Sequence, residues 1–219
     1  MKLLIIGTND QVAECREKFG GVNFISSAES LQSATDQLSS SDVVFDFASP
    51  GHPEQLKYYP SAMNGVVFLD TSLVRLSSLL AQAPQLRHST FGFCGLRTLV
   101  NRELLEVTIS AETDRDRLAA VCQQLGTAYQ VVADQAGMVT PRVICMIINE
   151  AYFTLEEGTA SREDIDLAMK LGTNYPYGPF EWANRIGLSN VAKVLRAAEQ
   201  DSGDERYMVC PLLVREAGL

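Results

Sequence analysis

Residues 2–12, with the sequence KLLIIGTNDQV, decide the fold of the first half of the chain. Leu3 to Ile6 is a continuous run of branched apolar residues, which is typical of a strand buried on both faces of a sheet. Gly7 follows as a turn residue, and residues 12–19 then carry apolar side chains at helical spacing. We therefore expect a strand, a turn and a helix, which together open an α/β domain.

The same alternation of short apolar runs and amphipathic stretches continues to about residue 133. Helical patterns lie at residues 31–38 and 113–125, and the second of these is closed by Gly126. Further strands are predicted at Val22–Ile25, Val43–Phe45, Val66–Leu69, Leu104–Ile109 and Tyr129–Val132. Strands that alternate with helices indicate a mostly parallel sheet, so residues 1–133 are predicted to form an α/β domain.

The second half, residues 134–219, has the pattern of an all-α domain. Strand-like runs are absent from it, and apolar residues recur at helical spacing from Val143 onward. Ser161 is a predicted N-cap because carboxylates follow it in the first turn, and Gly172 is predicted to end that helix. Residues 175–179 contain two prolines and are not expected to be helical.

Composition excludes several classes of protein. The 219 residues are 46% apolar and 21% charged, as in ordinary globular proteins. The net charge of -9 argues against a nucleic-acid partner, whose phosphates are bound mainly by Lys and Arg. Five dispersed cysteines without a CxxC pair predict reduced thiols, with neither a disulfide framework nor a metal site. The apolar N-terminal run is too short for a signal or a membrane span, so we expect a cytoplasmic protein without a membrane partner.

Several motifs in the second half stand in an order that resembles one known family. They are Asn149-Glu150-Ala151, Glu157-Gly158, Glu163-Asp164-Ile165-Asp166, Ala168-Met169-Lys170-Leu171-Gly172, Pro176-Tyr177-Gly178-Pro179-Phe180-Glu181 and Ile186-Gly187-Leu188. This order resembles the C-terminal domain of the NAD-dependent 3-hydroxyacyl-CoA dehydrogenases. The resemblance implies that residues 1–133 form an abbreviated Rossmann-like domain of the dinucleotide-binding type. It also implies that residues 134–219 form a helical domain that helps to form a homodimer, with an acyl-CoA ligand and NAD as the cofactor.

Two segments of the first half extend the resemblance to catalytic positions. Asp70-Thr71-Ser72-Leu73 resembles the family's Asn-Thr-Ser-Ser-Leu segment, which implies that Ser72 contacts substrate and cofactor. Leu104-Leu105-Glu106-Val107 resembles the family's Leu-Val-Glu-Val strand, which implies that Glu106 orients the catalytic base. The family's spacing from that glutamate places Cys94 where the histidine base is expected. Pro141 likewise stands where the family has a substrate-binding asparagine.

The cofactor end departs from the dinucleotide fingerprint as well. A Rossmann fold has G-x-G-x-x-G after its first strand, and here only Gly7 of the three glycines is present, with Asn9 at the second position. Gly7 and Asn9 are the predicted cofactor-binding residues at this turn. Asp46 is a third, because residues 46–52 follow a strand as a loop that could cover a nicotinamide ring. The same loop is also read as a Pro-Gly turn.

Three functions follow from these patterns. The first is NAD-linked oxidation of 3-hydroxyacyl-CoA in fatty-acid metabolism, with Ser72, Cys94 and Glu106 as the candidate catalytic residues. The second is a catalytically inactive family member that acts as an acyl-CoA-binding, nucleotide-binding or dimerisation module, since a lost general base costs about 10²–10⁴-fold in rate. The third is an NADP-type reductase of another substrate, suggested by the loop at residues 46–52.

Overall fold

The chain folds into two compact units, Met1–Met138 and Val139–Leu219. The computed structural model describes residues 1–22, 24–60, 63, 65–86 and 90–219, with the backbone alone at Phe24 and Ile25. His88, which the sequence places a few residues before the family's histidine position, lies outside the described residues.

The first unit extends past the predicted boundary at residue 133 because the next residues are bonded to it. The carboxylate of Asp134 accepts hydrogen bonds from the backbone N–H groups of Leu76, at 2.6 Å, and of Ser77, at 2.9 Å. The N–H of Gly137 donates to the carbonyl of Ser72 at 2.9 Å. Asp134 therefore supplies an anion to a helix N-terminus, a favourable position for a negative charge.

A seven-stranded sheet forms the centre of the first unit within the part of the chain that the structure describes. Its order is β2-β1-β3-β4-β5-β6-β7, and every neighbouring pair is parallel except β5 and β6. The strands are β1 (Lys2–Ile6), β2 (Phe24–Ala28), β3 (Val43–Asp46), β4 (Val66–Asp70), β5 (Thr90–Phe93), β6 (Leu104–Thr108) and β7 (Ala128–Val131). The predicted α/β class with a mostly parallel sheet is confirmed.

Both faces of the sheet are covered, which explains the uninterrupted apolar runs in its strands. The helices of this unit are α1 (Asn9–Lys18), α2 (Thr35–Leu38), α3 (Leu76–Gln82) and α4 (Arg115–Leu125). Leu3 and Ile5 point into one core layer with residues of α1 and α4. Leu4 and Ile6 point into the opposite layer with residues of α2 and α3. Successive residues of β1 therefore pack into opposite core layers, because side chains alternate between the two faces of a strand.

The second unit is helical in all its described secondary structure, as the sequence predicts. Its helices are α5 (Thr140–Glu156), α6 (Arg162–Thr173), α7 (Pro179–Ile186), α8 (Leu188–Ser202) and α9 (Pro211–Glu216). Ser161 is the N-cap of α6 and accepts from the N–H of Asp164 at 3.1 Å. The prediction that Gly172 ends α6 is wrong, because the helix continues to Thr173 and Asn174 takes the left-handed conformation at φ 57°.

No described helix combines the length and the apolar character that crossing a bilayer requires.

Candidate functional site

The carboxyl ends of β1 and β3 form the place where this topology offers a ligand site. The chain leaves β1 toward β2 on one side and returns to β3 on the other, so the sheet order reverses between β1 and β3. Open α/β sheets bind ligands in the crevice at such a switch point. Gly7 follows β1 at this edge, and Phe47 follows β3. Their two segments are joined by the N–H of Phe47, which donates to the carbonyl of Ile6 at 2.9 Å.

Gly7 is held in a tightly packed turn. A Cβ atom at this position would lie 2.6 Å from Oε1 of Gln11 and 3.2 Å from Cβ of Phe47, so a larger residue would displace the Gln11 amide and crowd Phe47. Its N–H donates to the carbonyl of Ala28 at 2.9 Å, which ties the turn to the end of β2. This close packing is what the first glycine of a dinucleotide turn provides.

The N-terminus of α1 carries a capping box at the position that a pyrophosphate takes in Rossmann folds. Oε1 of Gln11 accepts from the N–H of Thr8 at 2.9 Å and from its hydroxyl at 3.1 Å. An amide oxygen therefore stands where a phosphate oxygen would accept the same donors. Asn9 is exposed as the first residue of α1. Arg97 lies nearby, because its guanidinium is 3.5 Å from the carboxylate of Asp10.

These residues fit a dinucleotide if the Gln11 amide leaves its acceptor position at the helix N-terminus. The turn, the helix N-terminus and a neighbouring arginine are present, and a pyrophosphate would replace the half-exposed Gln11 amide as the acceptor. Gly7, Thr8 and Asn9 would then contact the pyrophosphate through the turn. Arg97 would supply the cationic side chain.

Asp46 ends β3 and is fully buried. Its Oδ1 accepts from the N–H groups of Ala48, at 2.9 Å, and Ser49, at 2.8 Å, while Oδ2 accepts from the hydroxyl of Tyr59 at 2.9 Å. Burial raises the pKa of this carboxyl group, and these hydrogen bonds oppose the shift. Both oxygens are therefore occupied by the following loop. Contact between Asp46 and a cofactor stays a prediction, and this geometry gives the residue a role in shaping the loop.

Ser72, Cys94 and Glu106 lie together in the first unit, although they are far apart in sequence. The N–H of Cys94 donates to the carbonyl of Glu106 at 3.2 Å, and the N–H of Gly95 donates to Oγ of Ser72 at 3.0 Å. Ser72 is 1% exposed and Glu106 is 7% exposed, so the cluster is almost closed to solvent. The antiparallel pairing of β5 with β6 brings Cys94 and Glu106 into contact.

Cys94 is held as a neutral thiol. Burial is the main cause that raises its pKa, and the charges of Asp70 and Glu106 raise it further. A backbone hydrogen bond to Leu96 and the Ser72 side chain oppose this shift only in part. A thiol with a raised pKa is a poor proton acceptor at neutral pH, since it accepts a proton only as the thiolate.

Asp70 is the residue of this cluster that was not predicted from the sequence. It ends β4, and its Oδ1 accepts from the hydroxyl of Ser72 at 2.6 Å and from the N–H of Gly95 at 3.0 Å. The signal was present, since an aspartate directly follows a buried apolar run at both Asp46 and Asp70. The family resemblance implies a role only for Ser72, two positions later in the same segment.

Glu14 of α1 is a second residue that the sequence did not indicate. Its carboxylate accepts backbone hydrogen bonds from Thr98 at 3.1 Å, Val100 at 3.0 Å and Asn101 at 3.2 Å. Thr98 adopts a left-handed conformation, with φ 69°, which is unusual for a β-branched residue. Glu14 therefore fixes the loop that follows Cys94 against the helix that begins at the cofactor turn.

The remaining predicted positions have simpler surroundings. His52 is exposed in the loop after β3, with Nδ1 3.6 Å from a carboxylate oxygen of Glu54. Pro141 lies in the first turn of α5, where a missing N–H costs nothing. In the second unit, a groove of about 690 Å³ is lined mainly by apolar side chains of α5 and α6. They include Met146, Ile147 and Met169.

Comparisons with known proteins agree with this architecture. Residues 137–217 match the family model described as 3-hydroxyacyl-CoA dehydrogenase, C-terminal domain. The chain is 31% identical over 193 residues to a 3-hydroxybutyryl-CoA dehydrogenase of Bradyrhizobium diazoefficiens, covering 84% of this chain and 66% of that protein. It is 44% identical over 95 residues to a 3-hydroxyadipyl-CoA dehydrogenase of Escherichia coli, covering 43% of this chain and 20% of that protein.

A solved structure shows the same fold. The (S)-3-hydroxybutyryl-CoA dehydrogenase of Ralstonia eutropha superposes with a TM-score of 0.77 at 23% identity, covering 98% of this chain and 92% of that one. The two sequence alignments above cover 66% and 20% of the relatives' own lengths, so the chain spans only part of them. The family model, the aligned relatives and the shared fold lead to one assignment: the chain belongs to the 3-hydroxyacyl-CoA dehydrogenase family.

Proposed function

We propose that the chain oxidises the 3-hydroxyl group of an acyl-CoA with NAD, as a 3-hydroxyacyl-CoA dehydrogenase of fatty-acid metabolism. The observation that carries this proposal is the cluster of Asp70, Ser72, Cys94 and Glu106 in the first unit. The names of the relatives supply the substrate class, because they act on 3-hydroxybutyryl-CoA and 3-hydroxyadipyl-CoA.

Each residue has a task in this proposal. NAD, when bound, supplies the hydride acceptor. Gly7 and the N-terminus of α1 would hold the pyrophosphate in place of the Gln11 amide, and Arg97 would offset its charge. Ser72 lies beside the substrate oxygen, with its hydroxyl donating to Oδ1 of Asp70 at 2.6 Å. Glu106 supplies a buried negative charge beside the reacting group.

A homodimer is part of the same proposal. The groove between α5 and α6 is largely apolar, and Leu167 and Leu171 of α6 are 53% and 79% exposed. Large exposed apolar areas are characteristic of protein–protein contacts. The family resemblance supports a second copy of the chain as the occupant. Sedimentation equilibrium should give a dimer for the wild type and a smaller species for Ile147→Glu, and a wild-type monomer would contradict this part.

An inactive acyl-CoA-binding member is the second candidate. Two observations favour it: Cys94 is a neutral thiol at the histidine position, and Gln11 occupies the acceptor position at the helix N-terminus. This candidate predicts that acyl-CoA stabilises the protein while NADH does not. A ligand at a hundred times its dissociation constant adds about 2.7 kcal/mol to the free energy of unfolding, so thermal unfolding separates the candidates.

The decisive assay follows NADH consumption with acetoacetyl-CoA. We expect turnover by the wild type and a fall of at least about 10²-fold in Glu106→Gln, since a charge beside the reacting group is removed. Glu103→Gln is the matched control, because Glu103 lies three positions away on the exposed side of the same segment. Equal background rates in the wild type and in Glu106→Gln would reject the dehydrogenase and leave the binding module.

A further inference from the structure

Asp70 has one carboxylate oxygen fully used by the protein and one that is not. Oδ1 accepts from the N–H of Ser72 at 2.9 Å, from its hydroxyl at 2.6 Å and from the N–H of Gly95 at 3.0 Å. Among the residues that the structure describes, none donates a hydrogen bond to Oδ2. Oδ2 is therefore the oxygen of this carboxyl group that is left to accept a proton.

The loop that contains Gly95 packs closely against the carboxyl group of Asp70. A Cβ atom at position 95 would lie 2.4 Å from Cγ of Asp70 and 2.6 Å from its Oδ2, so only glycine allows the loop to approach this closely. The loop is itself fixed by Glu14 through three backbone N–H groups. A side chain locked on two sides has the fixed orientation that proton transfer requires.

We infer that Asp70 is the general base of this protein and accepts the proton of the substrate hydroxyl through Oδ2. The inference rests on the proposed function. In the oxidation, the C3–H bond breaks with its electron pair and the hydride passes to the nicotinamide. The O–H bond breaks as its proton passes to the Asp70 carboxylate, and the C3–O bond becomes a carbonyl. The neutral Asp70 then returns the proton to water.

The electrostatics of the site suit this task. Burial raises the pKa of Asp70, and the Asp46 carboxylate on the neighbouring strand raises it further, while bonds from Ser72 and Gly95 oppose the change. A base whose pKa is raised toward neutrality accepts protons more readily. The titratable groups that face Asp70 are Asp46 at the end of β3 and Cys94 after β5, with Glu106 beyond Cys94.

The alternative role for Asp70 is purely structural. The bond from the N–H of Ser72, two residues on, closes a local turn, as Asp and Asn commonly do. An asparagine could accept the same three hydrogen bonds through its amide oxygen, but it could not accept a proton. Asp70→Asn therefore retains the structural role and removes the chemical one.

The experiment compares wild type, Asp70→Asn and the control Asp36→Asn, in which an exposed aspartate of α2 changes in the same way. NADH consumption with acetoacetyl-CoA should fall at least about 10²-fold in Asp70→Asn and stay unchanged in the control. Acetoacetyl-CoA should bind all three proteins with the same affinity in calorimetry. Its infrared difference spectrum should contain a carboxylic acid C=O band in the wild type that Asp70→Asn lacks.

Failure of this inference is distinguishable from failure of the proposed function. Wild-type turnover that survives Asp70→Asn, or an infrared difference spectrum that is the same in both proteins, would overturn Asp70 as the base and leave the dehydrogenase standing. A wild type without turnover would overturn both. If Asp70→Asn loses activity but also loses acetoacetyl-CoA binding, the residue has a structural role and the inference is wrong.

Discussion

Two aspartates end neighbouring strands of the same sheet, but they differ in how many of their carboxylate oxygens accept hydrogen bonds from the protein. Asp46 ends β3 and is fully buried. Both of its carboxylate oxygens accept hydrogen bonds, which come from Ala48, Ser49 and Tyr59. Asp70 ends β4, is partly exposed, and accepts hydrogen bonds only through Oδ1. Burial raises the pKa of both groups, yet only Asp70 has an oxygen left for a substrate. A raised pKa alone therefore does not identify a catalytic residue, and the number of occupied acceptor positions must be considered with it.

The largest effect on stability should come from removing the occupied aspartate. Asp46→Ala leaves two backbone N–H groups and the Tyr59 hydroxyl buried without their acceptor, which we expect to lower the free energy of unfolding by about 2–4 kcal/mol. Tyr59→Phe removes only one of these bonds and should cost about 1 kcal/mol. Urea unfolding of both variants measures the difference, and equal losses would show that the loop does not depend on Asp46.

Gly95→Ala tests how closely Asp70 is confined. The new Cβ atom would lie 2.4 Å from Cγ of Asp70, so the carboxyl group or the loop must move, at a cost of about 1–3 kcal/mol. Turnover should fall together with stability. Gly21→Ala is the matched control, because no atom lies within 4 Å of a Cβ there. Indistinguishable unfolding curves for the two variants would contradict a tightly built site around Asp70.

Gln11→Ala tests the fit to the cofactor. Loss of the capping box should lower stability by about 0.5–1 kcal/mol, since one partner of the Thr8 donors is removed. The freed donors should then bind NADH more tightly in calorimetric titration. Gln123→Ala changes an exposed glutamine of α4 and should leave both values unchanged. Weaker NADH binding in Gln11→Ala would mean that the amide belongs to the cofactor site rather than standing in for a phosphate.

The smallest effect concerns pH. The negative charge of Asp46 is one of the causes that raise the pKa of Asp70, so Asp46→Asn should lower that pKa. A base works deprotonated, and oxidation should therefore rise as pH increases through the pKa of Asp70. Asp46→Asn should shift this rise to lower pH. The reduction of acetoacetyl-CoA needs the protonated Asp70, so its rate should fall as pH increases, and in Asp46→Asn this fall should also lie at lower pH. Identical pH–rate profiles for oxidation would show that the two carboxyl groups do not interact.

The sequence predicts the frame of the first unit well where strands are buried on both faces. β1, β3 and β4 were located by continuous apolar runs, whose side chains fill both core layers. β5 was missed because it is four residues long and contains Gly92, which the pattern reads as a break. β2 was placed early, since its residues Ser26 and Ser27 give no apolar signal. Both errors have one cause: whether these residues form a strand depends on the neighbouring strands with which they pair, and those are distant in sequence.

The candidate site was predicted only in part, for a related reason. Ser72, Cys94 and Glu106 came from the family resemblance, and the structure places them side by side. The role of Asp70 depends on the N–H of Gly95, 25 positions away, and on the charge of Asp46 at the end of the neighbouring strand. Such contacts exist only in the folded sheet, so the local sequence around Asp70 shows no more than an acid after a strand.

A structure with bound ligand is the most direct test of whether Asp70 is the base. Crystals of the wild type with acetoacetyl-CoA would show which group contacts the 3-keto oxygen. If Asp70 is the base, this oxygen lies within about 2.6–3.2 Å of Oδ2 of Asp70, the distance that proton transfer requires. A ligand whose 3-keto oxygen contacts another side chain, with Asp70 still bonded only to Ser72 and Gly95, would contradict it.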